Sequence, residues 1–159
     1  MMEKEKYAGE TPKVRLCGTI REILVGSEEK YGSLDAVRFK AGKDTVASRS
    51  YTQLRHDSES FSAALSALLP ERTHVALTGL TSYAWLVSYF GIVNAGYVAV
   101  PLDVSLPAEE LCELVDRSDA GALILDEVRK DVAAIVRKRC PKLKYLISMQ
   151  KEEDDETSL

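Results

Sequence analysis

The chain has 159 residues, of which 45% are hydrophobic and 29% are charged, and its formal net charge is −4. This composition suits one compact α/β domain or a piece of a larger one. The longest apolar run, residues 83–93, is shorter than the roughly 20 residues that cross a bilayer, so no transmembrane segment is expected. The sequence has no basic stripe with interleaved aromatic residues, which argues against nucleic acid as a partner.

The amino terminus and the cysteines bear on the cellular compartment. The opening MMEKEKYAGETPK carries charges but no apolar core, so it does not resemble a signal peptide and a cytoplasmic location is expected. The three cysteines, Cys17, Cys112 and Cys140, form no CxxC motif and have no matching pair of histidines. We therefore expect reduced core or surface cysteines and no metal site.

The first part of the chain predicts a helix and a hairpin. An amphipathic segment that opens at residues 20–24 ends near Gly32, and strands at residues 35–40 and 45–49 are joined by a turn at residues 41–44. From Thr52 the pattern is helical and stops at Pro70. Its apolar face is predicted to contain Leu54, Phe61, Leu65 and Leu68.

Beyond residue 70, strands and helices alternate. Strands are predicted at residues 74–78, 97–102, 121–125 and 144–149, and helices at residues 82–95, 107–118 and 127–139. This alternation predicts right-handed crossovers and a parallel sheet of four strands with helices on both faces. Pro107 fits the first position of its helix, and Asp126 is placed to cap the next one. The helix at residues 82–95 is apolar nearly all round, so it needs a covering layer that the chain supplies poorly.

Two local features could bind a ligand, and each has a simpler interpretation. Thr78, Gly79, Thr81 and Ser82 end a parallel strand and open a helix, which is where doubly wound folds bind anions. One glycine is a weak signal, however, and ordinary capping by Thr81 or Ser82 is favoured. Asp103 fits a turn better than an acid catalyst, and no catalytic residue is predicted.

Aromatic side chains recur along the helix at residues 82–95. Tyr83, Trp85, Tyr89 and Phe90 could line a pocket for an acyl chain. Aromatic residues at helical spacing are more often part of a core, and we favour that interpretation.

Three stretches resemble the beginning of the AMP-binding, adenylate-forming enzymes, which include acyl-CoA synthetases, non-ribosomal peptide adenylation domains and luciferases. They are RSYTQL (49–54), VALTGLTSYAWLVSYFGIVNAGYVAVPLDVSLPAEEL (75–111) and RSDAGALILDE (117–127). The segment at residues 19–40 is similar to the family's opening segment, so the resemblance covers nearly the whole chain. SYTQL and NAGYVAVPLD resemble the first two core motifs of the family, of which the second is a scaffold element.

The resemblance implies a small, Rossmann-like parallel sheet that is part of a larger fold. It divides the chain into an opening segment at residues 1–50, an αβ subdomain at residues 51–150 and an acidic tail, KEEDDETSL, at residues 151–159, which is expected to be disordered. The family's Ser/Thr/Gly-rich phosphate loop and its later adenine-, ribose- and lysine-bearing motifs are absent from residues 1–159. By this comparison the chain alone is expected to be inactive and to bind no cofactor.

For the full-length enzyme, the resemblance implies ATP-dependent activation of a small carboxylic acid, with Mg, and transfer of the acyl group to a thiol such as that of CoA. The partner expected for this chain is then the remainder of its own enzyme. The alternative is a stand-alone, non-catalytic binding module, with the helix at residues 82–95 as its partner surface or with self-association through exposed apolar residues. The sequence does not indicate which acid is activated.

Overall fold

The structure is a computed structural model that describes residues 16–40 and 44–149. The helices are α1 (Ile20–Tyr31), α2 (Tyr51–Leu68), α3 (Tyr83–Asn94), α4 (Ala108–Arg117) and α5 (Lys130–Arg139), and a short 3-10 helix at Glu127–Arg129 precedes α5. The strands are β1 (Asp35–Lys40), β2 (Val46–Ser50), β3 (His74–Thr78), β4 (Val98–Pro101), β5 (Ala120–Leu125) and β6 (Tyr145–Ser148). The predicted acidic tail and most of the predicted hairpin turn lie outside the described residues.

The predicted order and type of the elements are confirmed, with small corrections at the boundaries. Pro107 precedes α4 as its N-cap residue instead of occupying its first turn. The single helix predicted at residues 127–139 is divided into the 3-10 helix and α5.

The main sheet has four parallel strands in the order β4-β3-β5-β6, and β1 and β2 form a separate antiparallel pair. The sequence did not predict this strand order. Strand β3 lies between β4 and β5, and its residues Val75, Ala76 and Leu77 are fully buried. A strand that is paired on both sides and covered on both faces explains the uninterrupted apolar run at this point of the sequence.

Helices cover both faces of the sheet, as predicted, and each face has its own apolar core. On one face, α4 and α5 pack against the sheet through Leu111, Val115, Val132 and Val136. On the other face, α2 and α3 contribute Leu65 and Ile92, and the second core also contains Leu69, which follows α2, and Tyr97, which precedes β4. The chain therefore forms a three-layer α/β arrangement.

The apolar helix α3 is covered only in part by the chain itself. Ser88, Gly91 and Ile92 are buried and its other residues are half-buried, so the covering layer that the sequence supplies is present but incomplete. Helix α2 runs alongside α3, and α1 packs against both helices. A Cβ at Gly91 would lie 2.6 Å from Cδ1 of Phe61, and Ser62 Oγ donates to the Gly91 carbonyl at 2.7 Å. A glycine at this position allows the two helices to approach closely.

One predicted core residue of α2 is misplaced. Leu68 is 42% exposed, whereas the next residue, Leu69, is 6% exposed and lies in the core. The reason is that the helix ends at Leu68, and Leu69 has an extended conformation that turns its side chain towards the sheet. Leu54 and Leu65 are buried as predicted, and Phe61 packs against the same core.

The opening segment packs directly against α2. Ser50 caps α2 by accepting from the Gln53 backbone N–H, and the Gln53 side chain accepts from Ser50 in return. Arg55 of α2 forms an ion pair with Glu28 of α1, which holds the pKa of the Glu28 carboxyl below its usual range. The segments on the two sides of residue 50 are therefore in contact. The division of the chain at this residue stays a prediction.

Candidate functional site at the carboxyl edge of the sheet

The parallel strands end at one edge of the sheet, and the loops that follow them form the candidate site. These are the β3–α3 loop (residues 79–82), the β4–α4 loop (residues 102–107) and the β5–α5 turn (residues 126–129). Parallel α/β folds bind ligands beyond the carboxyl ends of their strands, because free backbone amides and helix N-termini meet there.

In the β3–α3 loop, ordinary capping accounts for one polar side chain. Ser82 is the N-cap residue of α3, and its Oγ accepts from the Trp85 backbone N–H at 3.1 Å. Thr81 is exposed, whereas Thr78 is fully buried. The favoured interpretation of this stretch, a capped helix start, agrees with these contacts.

The same loop already holds a carboxylate. Asp126 Oδ2 accepts from the Leu80 backbone N–H at 2.6 Å, and the Asp126 residue is only 9% exposed. A Cβ at Gly79 would lie 2.8 Å from Asp126 Cγ. Gly79 is therefore explained by the close approach of this carboxylate, which leaves no room for a side chain on the loop.

The predicted role of Asp126 as a helix cap was wrong. Its side chain makes no capping hydrogen bond to the 3-10 helix that it precedes, because it points to the neighbouring β3–α3 loop instead. Its second oxygen, Oδ1, is buried without a hydrogen-bond partner in the described part of the chain, and so is Thr78 Oγ1. Such buried polar atoms are uncommon in folded proteins.

Arg129 joins the β5–α5 turn to the β4–α4 loop. Its guanidinium donates to the carbonyl oxygens of Val104 at 2.7 Å and Leu106 at 2.9 Å, and it forms an ion pair with Asp131 at 3.1 Å. The Arg129 residue is only 6% exposed. The guanidinium also holds the pKa of the Asp131 carboxyl below its usual range. Asp126 and Arg129 thus connect one turn to both neighbouring loops.

The β4–α4 loop has an internal turn that confirms the interpretation of Asp103. Asp103 Oδ1 accepts from both the backbone N–H and the hydroxyl of Ser105, each at 2.8 Å. The backbone N–H of Ser105, followed by its hydroxyl, lowers the pKa of the Asp103 carboxyl. An exposed aspartate that is held in this way stabilises a turn and is not a proton donor at neutral pH.

The aromatic residues of α3 divide into two groups. Trp85 and Tyr89 stack with their ring centroids 5.6 Å apart and pack against the core beneath α2. Tyr83 lies at the start of the helix, where its hydroxyl donates to Asp57 at 2.6 Å and the Arg49 guanidinium lies 5.5 Å from its ring centroid. Burial, followed by the Asp57 carboxylate, raises the pKa of Tyr83. These contacts fit a packing role.

The sequence analysis identified the β3–α3 loop but assigned Asp126 a different role and did not identify Arg129. Thr78, Gly79, Thr81 and Ser82 lie at the end of β3 and the start of α3, and their role as an anion site stays a prediction. Arg129 was not singled out. Its carbonyl partners lie 23 and 25 residues away, so no local pattern marks it. Within residues 16–40 and 44–149, no group of histidine, cysteine and acidic residues could hold a metal ion.

The parallel sheet and its two helical layers place the chain in the class of three-layer α/β domains. The family is more specific. The model of the AMP-binding enzymes matches residues 27–159. The chain therefore belongs to the AMP-binding enzyme family.

Curated relatives agree with this assignment. The chain is 30% identical over 89 residues to a D-alanine–D-alanyl carrier protein ligase of Streptococcus equi. The matched segment covers 55% of this chain and 17% of the relative. It is 30% identical over 108 residues to a CoA ligase of Rhodococcus jostii that is named for a methyl-dioxo-octahydroindenyl propanoyl group. This matched segment covers 67% of this chain and 20% of the relative. The chain spans about a fifth of the length of these relatives.

Solved structures have the same fold. The N-terminal domain of FACL13 from Mycobacterium tuberculosis matches with a TM-score of 0.72 at 20% identity, over 82% of this chain and 33% of that one. The anthranilate CoA ligase AuaEII, solved with anthranoyl-AMP, matches with a TM-score of 0.76 at 21% identity, over 90% of this chain and 27% of that one. The chain thus corresponds in fold to about a third of the FACL13 N-terminal domain and to about a quarter of AuaEII.

No helix within residues 16–40 and 44–149 has both the length and the hydropathy that a bilayer crossing needs.

Proposed function

We propose that this chain is the N-terminal portion of an ATP-dependent, acid-activating ligase. The observation that carries the proposal is the family match over residues 27–159, on a fold shared with larger ligases. In the proposed reaction, a substrate carboxylate attacks the α-phosphate of ATP and releases pyrophosphate, and a thiol then takes the acyl group from the acyl-adenylate. ATP, Mg and CoA serve the whole enzyme, which we place in the cytoplasm.

The proposed acceptor is the thiol of CoA. Two of the similar proteins, the Rhodococcus ligase and AuaEII, are CoA ligases by name, and this supports CoA over a carrier protein. The carrier-protein ligase of Streptococcus equi supports the other acceptor. Both acceptors present a thiol, so the first half of the reaction is the same in either case. The proposed substrate is a small carboxylic acid, such as the fatty acids that fatty-acid CoA ligases activate.

We further propose that the chain alone does not catalyse this reaction. Its sequence lacks a glycine-rich phosphate loop. At the carboxyl edge, Asp126 Oδ2 already accepts from the Leu80 backbone N–H, so this amide of the β3–α3 loop is not free to bind a phosphate. The candidate anion site formed by Thr78, Gly79, Thr81 and Ser82 stays a prediction. A titration with inorganic phosphate tests it, through shifts of the backbone amide resonances of this loop.

An exchange assay tests the proposed reaction. The protein is isolated from its source, its intact mass is measured, and exchange between ATP and labelled pyrophosphate is followed with a panel of fatty, aromatic and amino acids. We expect a species much heavier than 17.6 kDa that exchanges with at least one class of acid, and no exchange with the 159-residue chain. A heavier native protein that exchanges with none of these classes would contradict the proposed function.

The second candidate, a stand-alone binding module, is favoured by one structural observation. Both faces of the sheet are covered, and no residue of α3 is exposed. The chain can therefore bury its cores without a partner, and the half-buried residues of α3 leave part of that helix accessible to one. A native mass near 17.6 kDa, with no exchange activity, would favour this module over the ligase.

A further inference from the structure

Two cysteines that are far apart in the sequence meet between α4 and α5. Cys112 lies in the middle of α4, and Cys140 is the C-cap residue of α5. Cys140 Sγ donates to the backbone carbonyl of Cys112 at 3.4 Å, so the two cysteines are in direct contact. Each residue is 2% exposed, and both belong to the core on this face of the sheet.

The surroundings of the pair protect it in the reduced state. Burial raises the pKa of the Cys112 thiol to about 11 and also raises that of Cys140. Both thiols are therefore protonated at neutral pH, and a reagent reaches them only when α4 and α5 separate locally. When the helices close again, the Cys140 thiol returns to its contact with Cys112.

We propose that Cys112 and Cys140 are a site of oxidative modification, at which a disulfide forms and fixes α4 to α5. With oxidised glutathione as the oxidant, one cysteine thiolate attacks the glutathione disulfide and releases one reduced glutathione. The second cysteine then attacks the mixed disulfide and releases another. The two cysteine sulfurs lose two electrons to glutathione, and their two protons end on the released thiols or in solvent.

The proposal is tested on the reduced 159-residue chain with oxidised glutathione, over a series of temperatures below the unfolding transition. Peptide mapping without reduction identifies which cysteines are linked. We expect the Cys112–Cys140 disulfide as the main product, formed faster as temperature rises. The link closes a loop between residues 28 apart, so the unfolding midpoint should rise by about 5–10 °C and return on reduction.

Variants separate this pair from the third cysteine. Cys17→Ser should retain the disulfide and the shift in the unfolding midpoint, whereas Cys112→Ser and Cys140→Ser should lose both. The same reaction in denaturant serves as the reference, because the unfolded chain can pair any two of its three cysteines. Mapping in the wild-type chain does not depend on how well the variants fold.

Three results would overturn the proposal. The first is a stable mixed disulfide with glutathione at either buried cysteine. The second is a product linked through Cys17 that forms at least as readily as the Cys112–Cys140 link. The third is the absence of that link at temperatures where deuterium exchange shows that α4 and α5 open. None of these results bears on the proposed ligase function, which is tested by the exchange assay.

Discussion

Replacing Arg129 with methionine tests whether the carboxyl-edge loops depend on this side chain. Methionine keeps much of the apolar stem but removes the guanidinium, and with it the hydrogen bonds to the carbonyls of Val104 and Leu106. Hydrogen bonds from a charged donor contribute about 1.5–3 kcal/mol each. Because Val104 and Leu106 are only half-buried, water replaces part of that loss. We therefore expect the free energy of unfolding to fall by about 2–4 kcal/mol.

The assay is urea unfolding followed by circular dichroism, together with a thermal scan. A loss of this size should lower the unfolding midpoint by about 10 °C for a chain of this length. Hydrogen exchange should also accelerate at the amides of the β4–α4 loop, at residues 102–107. Arg129→Lys keeps the charge but not the planar group of donors, so it should fall between the wild type and Arg129→Met.

Arg137→Met provides the matched control. Arg137 lies in the last turn of α5 and is exposed, so its loss should change the free energy of unfolding by no more than about 0.5 kcal/mol. The reasoning is refuted if Arg129→Met matches this control and leaves exchange at the β4–α4 loop unchanged.

Further predictions concern two close contacts and one titrating carboxyl group. Gly79→Ala places a Cβ 2.8 Å from Asp126 Cγ and should lower the free energy of unfolding by about 1–2 kcal/mol. This loss of stability should be smaller in an Asp126→Ala background. Equal losses in the two backgrounds, measured by urea unfolding, would contradict the contact. Gly91→Ala should destabilise the wild type by about 1 kcal/mol, because its Cβ meets Phe61, but should stabilise a Phe61→Ala variant through helix propensity; urea unfolding of the four chains checks the change of sign. Because the pKa of Asp131 is lowered in the folded chain, its contribution is present above the unfolded value of about 3.9 and is lost as pH falls through the lower folded value. Asp131→Asn should therefore flatten the loss of stability below about pH 4, and an unchanged pH profile would refute this.

Local sequence signals predicted most of the element boundaries. Ser82 caps α3, as the sequence indicated, and α2 begins at Tyr51, one residue before the predicted start, after a Ser50–Gln53 capping box that had not been predicted. These signals are readable because a cap and its partner are three residues apart, and the contact is made within the element itself. Asp103 belongs to the same group, since its turn closes on Ser105, two residues later.

Predictions that depended on a single residue at an element end were less successful. Leu68 fitted the helical spacing of α2, yet the helix ends at that residue and Leu69 takes the buried position. A periodic pattern gives the direction of a side chain only while the helix continues. The prediction for Asp126 failed differently, because its carboxylate found the Leu80 amide of another loop.

The sequence alone determined the class of the fold, the parallel sheet and the family, because apolar periodicity and the sequences of the motifs are local properties of the chain. Only the tertiary structure decided the strand order, the cover of α3 by α2 and α1, and the contact between Cys112 and Cys140. It also decided that Arg129 ties the β5–α5 turn to the β4–α4 loop. These contacts join residues more than 20 positions apart in the sequence. Burial of apolar surface is favourable for many pairs of residues, so the packing of the layers decides which pairs meet.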